Sequence, residues 1–85
     1  MNNHFGNTTE EEILNFYQNI SKIVRNVRQK KGISQLDLAL EIGIKSIAFY
    51  SNCKSCRYGK HFNLEHLYKI SKALDVDICS FFKYT

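Results

Sequence analysis

A chain of 85 residues, 44% hydrophobic and 24% charged, is long enough for one small packed domain and too apolar for intrinsic disorder. No stretch approaches the roughly 20 apolar residues of a membrane span. The start MNNHFGNTTEEE lacks the charged-then-apolar pattern of a leader, and three cysteines at no secreted-scaffold spacing point to free thiols in a reducing compartment, so a cytoplasmic protein is expected. The net charge of +4 is unevenly spread: residues 1–21 hold three acids and no Lys or Arg, leaving twelve bases against five acids beyond them, a net +7. Such an excess suits a polyanionic partner, with an ordinary solvated basic surface as the alternative.

Taken in order, residues 1–8 read as a flexible start, with Met1 to Asn7 expected to fray, and residues 9–85 as a single domain. Thr8-x-x-Glu11 and Thr9-x-x-Glu12 are overlapping capping boxes, and three glutamates favour the positive end of a helix dipole. A helix therefore starts near Thr9. Ile13, Phe16, Ile20, Ile23 or Val24, and Val27 keep one apolar stripe until Lys30, Lys31 and Gly32 end it. The early part of that stripe, Ile13, Phe16 and Tyr17, needs cover. Either the chain's own Phe81 and Phe82 supply it or a second subunit does.

The stretch Ser34 to Lys54 reads as helix, tight turn, helix. Ser34 caps Gln35 to Ile42, whose Leu36, Leu38, Ala39, Leu40 and Ile42 exceed what one lone helix can bury. Gly43 stops it in a left-handed conformation, Ile44 drops back onto the core, and Ser46 caps a second helix from Ile47 to Lys54. Ser55 to Phe62 is expected as loop, with Phe62 a core anchor. Asn63 caps the next helix, in which Leu64, Leu67, Tyr68, Ile70, Ser71 and Leu74 show the 3.6-residue period, and Asp77 caps a last short helix through Phe82. The expected architecture is all-α with five helices.

Ser34, Gln35, Leu38 and Ala39 in the pattern SQxxLA, followed by Gly43 and Ile44, resemble the helix-turn-helix of the lambda repressor and Cro superfamily, also called the xenobiotic response element family. VRQKKG before the motif and LYKISKALDVDICSFF after it resemble that family's first, fourth and fifth helices, so the likeness covers roughly Ile20 to Phe82. The resemblance implies a lambda-repressor-like five-helix domain, here with an extended first helix and the motif at 34–54. It further implies a sequence-specific regulator of transcription that binds double-stranded DNA as a homodimer, with no enzymatic activity and no cofactor.

Where the second motif helix begins fixes which side chains meet DNA. Aligned without a gap from Gly43, the family's cap falls on Lys45 and an inward position on Asn52; one extra turn residue makes Ser46 the cap and turns Tyr50 and Cys53 inward, which is the preferred register. Ile47, Ala48, Ser51 and Asn52 then face the major groove behind Ser46, and Asn52 is the best candidate for a directional contact because an amide can bond both edges of adenine. The resemblance implies a phosphate contact for Gln35, and Lys54, Arg57 and Lys60 are further backbone candidates beside Tyr58 and His61, with Tyr58 alternatively a packed lid. Family members often pair an Arg in the first helix with a Glu near the end of the recognition helix. Arg28 matches the first, but Lys54 stands in the second place, so Arg28 needs another acceptor and Lys54 is left for a phosphate.

Cys53-x-x-Cys56, with His61, His66 and Cys79, invites a metal or redox reading. Cys53 on the inward face and His66 on a separate helix argue for ordinary packing instead, and Cys79 reads as a small core residue, so no metal is expected. Nothing reads as catalytic machinery. The dimer surface expected from uncovered apolar residues comprises Ile13, Phe16, Tyr17, Phe81 and Phe82, joined by Tyr84. Two other functional readings stay open: a protein-interaction module, antitoxin-like or an adaptor, that kept the fold, and a thiol-responsive regulator.

Overall fold

Thr9 starts the first helix, α1 (Glu10–Lys30), through a complete capping box: its Oγ1 accepts the Glu12 N–H at 3.1 Å, and Glu12 Oε1 accepts the Thr9 N–H at 2.9 Å. The computed structural model describes residues 7–83; the fraying expected at the start of the chain falls almost wholly outside them, as does Tyr84. At the far end of α1, Gly32 turns left-handed at φ +72° and Ile33 N–H returns to the Arg28 carbonyl at 3.2 Å. The Arg28 guanidinium then donates to the Ile33 carbonyl at 2.8 Å. A backbone oxygen thus takes the place of the missing glutamate and fixes the path from α1 into the next cap.

Ser34 Oγ accepts the Asp37 N–H at 3.0 Å and opens α2 (Gln35–Glu41). Gly43, at φ +83°, closes it: Gly43 N–H reaches the Leu40 carbonyl at 3.1 Å and Ile44 N–H the Ala39 carbonyl at 2.8 Å, the paired bonds of a Schellman turn. Ile44 lands buried. Ser46 Oγ accepts the Phe49 N–H at 3.2 Å, so α3 spans Ile47–Ser55 in the register with the longer turn, and Tyr50 and Cys53 point into the core. Asn63 caps α4 (Leu64–Leu74) with His66 as its reciprocal partner, and Asp77 accepts the Cys79 N–H at 2.9 Å to start a terminal 3-10 helix (Ile78–Phe82).

One core joins all of these elements. Ile20 and Val24 of α1 meet Leu38, Ala39 and Ile42 from α2 and its cap, Tyr50 and Cys53 of α3, and Leu67, Ile70 and Leu74 of α4. Phe62 fills the gap with its ring 5.3 Å from that of Tyr50. Among the described residues there are four α-helices and two 3-10 helices, without a strand, and no helix is long and apolar enough to cross a membrane.

Several expectations are corrected. Ser55 belongs to α3, and the loop after it contains a 3-10 turn, Arg57–Gly59. The terminal helix is 3-10, and its three-residue turn changes which side chains face in. Ile78 and Phe81 share the inner side, so Phe81 is fully buried in its own domain and cannot line a dimer surface, while Cys79 is exposed rather than a core residue. Phe82 packs partly on the same core. At the start of α1, Ile13 and Phe16 are 46% and 40% exposed. Tyr58, at 83% exposure, is no lid. Only Leu38 and Ala39 of α2 are buried, leaving Leu36 and Leu40 outside.

Candidate nucleic-acid interface

The outer face of α3 follows from what its inner face must bury. Successive residues on an α-helix step about 100° around the axis, so burying Tyr50 and Cys53 turns Ala48, Ser51 and Asn52 outward, with Ile47 beside them. Ile47 and Ala48 are exposed, and Ser51 and Asn52 are half-buried. Ser46, also exposed, spends its hydroxyl oxygen on the Phe49 N–H. The face thus offers one amide, one free hydroxyl and two apolar groups, with no base among them.

Basic side chains flank that face instead. Lys54 Nζ donates to Gln35 Oε1 at 3.1 Å, tying the last turn of α3 to the first turn of α2. Lys54 is therefore held rather than free, yet an ammonium carries three protons and a neutral amide uses only one. On the other side, Lys60 Nζ sits 5.7 Å from the centre of the Phe49 ring. Phe49 and Lys54, five residues apart, are about 140° apart around the axis through the buried side, so Lys60 and Lys54 border the outer face from opposite edges. Arg57 is exposed in the 3-10 turn between them in sequence.

That turn has an unusual backbone. Cys56 ends α3 at φ +57°, Tyr58 follows at +56° and Gly59 at +71°. Left-handed conformations at two residues that carry a Cβ cost about 1 to 2 kcal/mol each. Packing from α1 supports the loop: Tyr17 stacks on His61 with ring centres 3.8 Å apart, and the Cys56 thiol lies in hydrogen-bond reach of the buried Ser21 hydroxyl. Tyr17 is accordingly a loop support, half-buried with its ring against His61 and Phe16.

The cysteines and histidines are used locally. Burial pushes the Cys53 thiol up, with nearby Lys60 opposing, and burial does the same to Cys56 against the Ser21 hydrogen bond. His66 Nδ1 accepts the Asn63 N–H at 3.1 Å while Asn63 Oδ1 accepts the His66 N–H at 2.7 Å. Burial lowers the His66 pKa first of all, and Lys69 and His61 add to the effect against Glu65. Among the described residues no group of three or more His, Cys, Asp or Glu side chains converges.

Two bases outside the sequence-derived set join the surface. Lys22 and Arg25 of α1 form one wall of a groove of about 460 Å³ whose other wall is Lys54 and Ser55. Their spacing of three residues, opposite the apolar stripe, was visible in sequence; that α1 runs past the end of α3 was not. No family model matches this chain, and neither does any curated protein or solved structure with which it was compared.

Proposed function

We propose that this chain is a sequence-specific double-stranded DNA-binding domain of the lambda repressor and Cro type, serving transcriptional regulation through its helix-turn-helix. The observation that carries the reading is the pairing of α2 and α3 across the Gly43–Ser46 turn, with Tyr50 and Cys53 buried and Ala48, Ser51 and Asn52 turned outward between basic flanks. A helix presented in this way fits a major groove, and its first turns meet base edges. The terminal 3-10 helix stands where the family's fifth helix would.

In this reading Asn52 reads a base, Ile47 and Ala48 make apolar contacts such as with thymine methyl groups, Ser46 and Ser51 lie at the groove surface, and Gln35, Lys54, Arg57 and Lys60 address phosphates. The thin polar inventory favours modest direct readout aided by DNA shape. Sites selected from random duplex DNA provide the test. Asn52→Ala should weaken the preferred site by about 1 to 3 kcal/mol while barely altering non-specific binding. Equal losses on all sequences would remove Asn52 from base reading.

A homodimer belongs to the same proposal. The exposed Ile13 and Leu14 on the first turns of α1, with the outer part of Phe82, offer apolar surface for a two-fold contact. Two α3 helices about 34 to 36 Å apart would then read an inverted repeat. A protein-interaction module is the second reading, favoured by Leu36, Leu40, Leu64 and Tyr68, each more than half exposed on α2 and α4. The thiol-responsive variant is disfavoured by burial, which raises both Cys53 and Cys56 away from the reactive thiolate.

A further inference from the structure

We propose that the groove between α1 and the end of α3 seats a backbone phosphate of the bound duplex, extending the contact surface beyond the helix-turn-helix onto α1 through Lys22 and Arg25. This rests on the DNA-binding reading above and adds a site that the motif itself does not contain. Lys22 and Arg25 stand three residues apart on one side of α1, and Lys54 and Ser55 face them from the last turn of α3. No acid lines the groove. The two walls belong to helices packed on one core, Ile20 and Val24 of α1 with Tyr50 and Cys53 of α3, so the bases are carried on docked helices rather than on a loop.

The charges in this groove are not spent. Among the described residues the one ion pair is Lys69 with Glu65, and neither Lys22 nor Arg25 takes part in a hydrogen bond or ion pair. Glu10, Glu11 and Glu12 are the acids of α1, and at 1.5 Å per residue the nearest is about 15 Å along the helix from Lys22, beyond a Debye length of about 8 Å. Lys54 is oriented by Gln35 without being neutralised. Three cations around one groove repel one another, and an anion between them relieves that repulsion.

Location selects the nucleic-acid backbone as the anion. A major groove about 12 Å wide is filled by a helix of about 10 to 12 Å diameter, so each flank of a helix seated there meets one bordering strand. Lys54 lies on one flank of α3 and Ser55 on its outer arc, which brings the strand on that side to the mouth of the groove. About 460 Å³ of open space admits a sugar–phosphate segment, not only an isolated ion.

The experiment measures binding to duplex DNA as a function of salt for the full chain. Neutralising one phosphate contributes about 0.9 to the slope of log affinity against log salt. The double variant Lys22→Ala, Arg25→Ala should therefore show a slope smaller by about 0.9, losing about 3.5-fold less affinity than wild type between 50 and 200 mM salt. Both residues are exposed, and unchanged circular dichroism should accompany the loss. Lys72→Ala, an exposed base on α4 outside the groove, should keep the wild-type slope. A double variant with the wild-type slope would overturn the phosphate seat and leave the DNA-binding reading standing. An equal drop for Lys72→Ala would overturn it too, since net charge alone would explain the effect. Wild type without salt-dependent binding would overturn both proposals.

Discussion

The three thiols differ in exposure, and this orders their chemistry. Cys53 is fully buried, Cys56 half-buried at the end of α3, and Cys79 exposed. Native protein should label with a thiol reagent first at Cys79, then at Cys56, and at Cys53 only on the timescale of opening; peptide mapping of a time course reads this order, and early labelling of Cys53 would contradict its place in the core. His66 carries a pH dependence. Its folded pKa is lowered from 6.5, chiefly by burial, so the unfolded chain takes up a proton that the folded chain resists. Stability from this residue is therefore complete above pH 6.5 and falls as pH drops below it. His66→Gln keeps an acceptor for the Asn63 N–H without titrating, and urea midpoints for the variant should decline less than those of wild type between pH 6.5 and 5. The inward Cys53 was legible because α3 keeps the 3.6 period. Cys79 was misplaced because the terminal helix is 3-10, a choice the local pattern ICSFF does not encode.

At the scale of elements, caps and turns were the most readable features. Thr9, Ser34, Ser46, Asn63 and Asp77 each accept a backbone N–H at the start of an element, because a short side-chain oxygen there replaces a missing intrahelical partner. The register of α3 followed from the same chemistry, since Ser46 can cap and Lys45 cannot. The turn after α3 was not readable. Nothing in RYGK announces a left-handed Tyr58, which lies between Cys56, near Ser21, and His61, stacked on Tyr17. Because Tyr58 is 83% exposed and makes little packing, Tyr58→Gly should stabilise the domain by about 1 kcal/mol in urea unfolding. A loss of stability would mean that its ring carries packing that exposure conceals.

For the whole molecule, the division of the C-terminal aromatics matters most. Phe81 plugs the core that α1, α3 and α4 enclose, so Phe81→Ala should cost about 3 to 5 kcal/mol and leave little folded protein near the melting point of wild type. Ile13→Glu tests the proposed dimer without touching that core, because Ile13 is 46% exposed on the projecting start of α1. Sedimentation should find helical monomers that bind an inverted repeat more weakly than wild type; wild type that stays monomeric at micromolar concentration, alone and on DNA, would defeat the dimer. The surplus of apolar residues at both chain ends was evident in sequence. Which of them the monomer absorbs depends on how far α1 extends past its neighbours, and only tertiary packing decides that.

The central claim, that α3 enters the major groove of duplex DNA, is tested most directly by methylation protection on a site selected from random duplexes. Dimethyl sulfate attacks guanine N7 in the major groove and adenine N3 in the minor groove, so one reagent reports both surfaces. The account predicts protected guanine N7 positions in two patches about one helical turn, roughly 10 base pairs, apart, with adenine N3 left reactive and the protection of the preferred site shifted to higher protein concentration in Asn52→Ala. Protection confined to adenine N3, or no protection at concentrations that saturate binding, would contradict it.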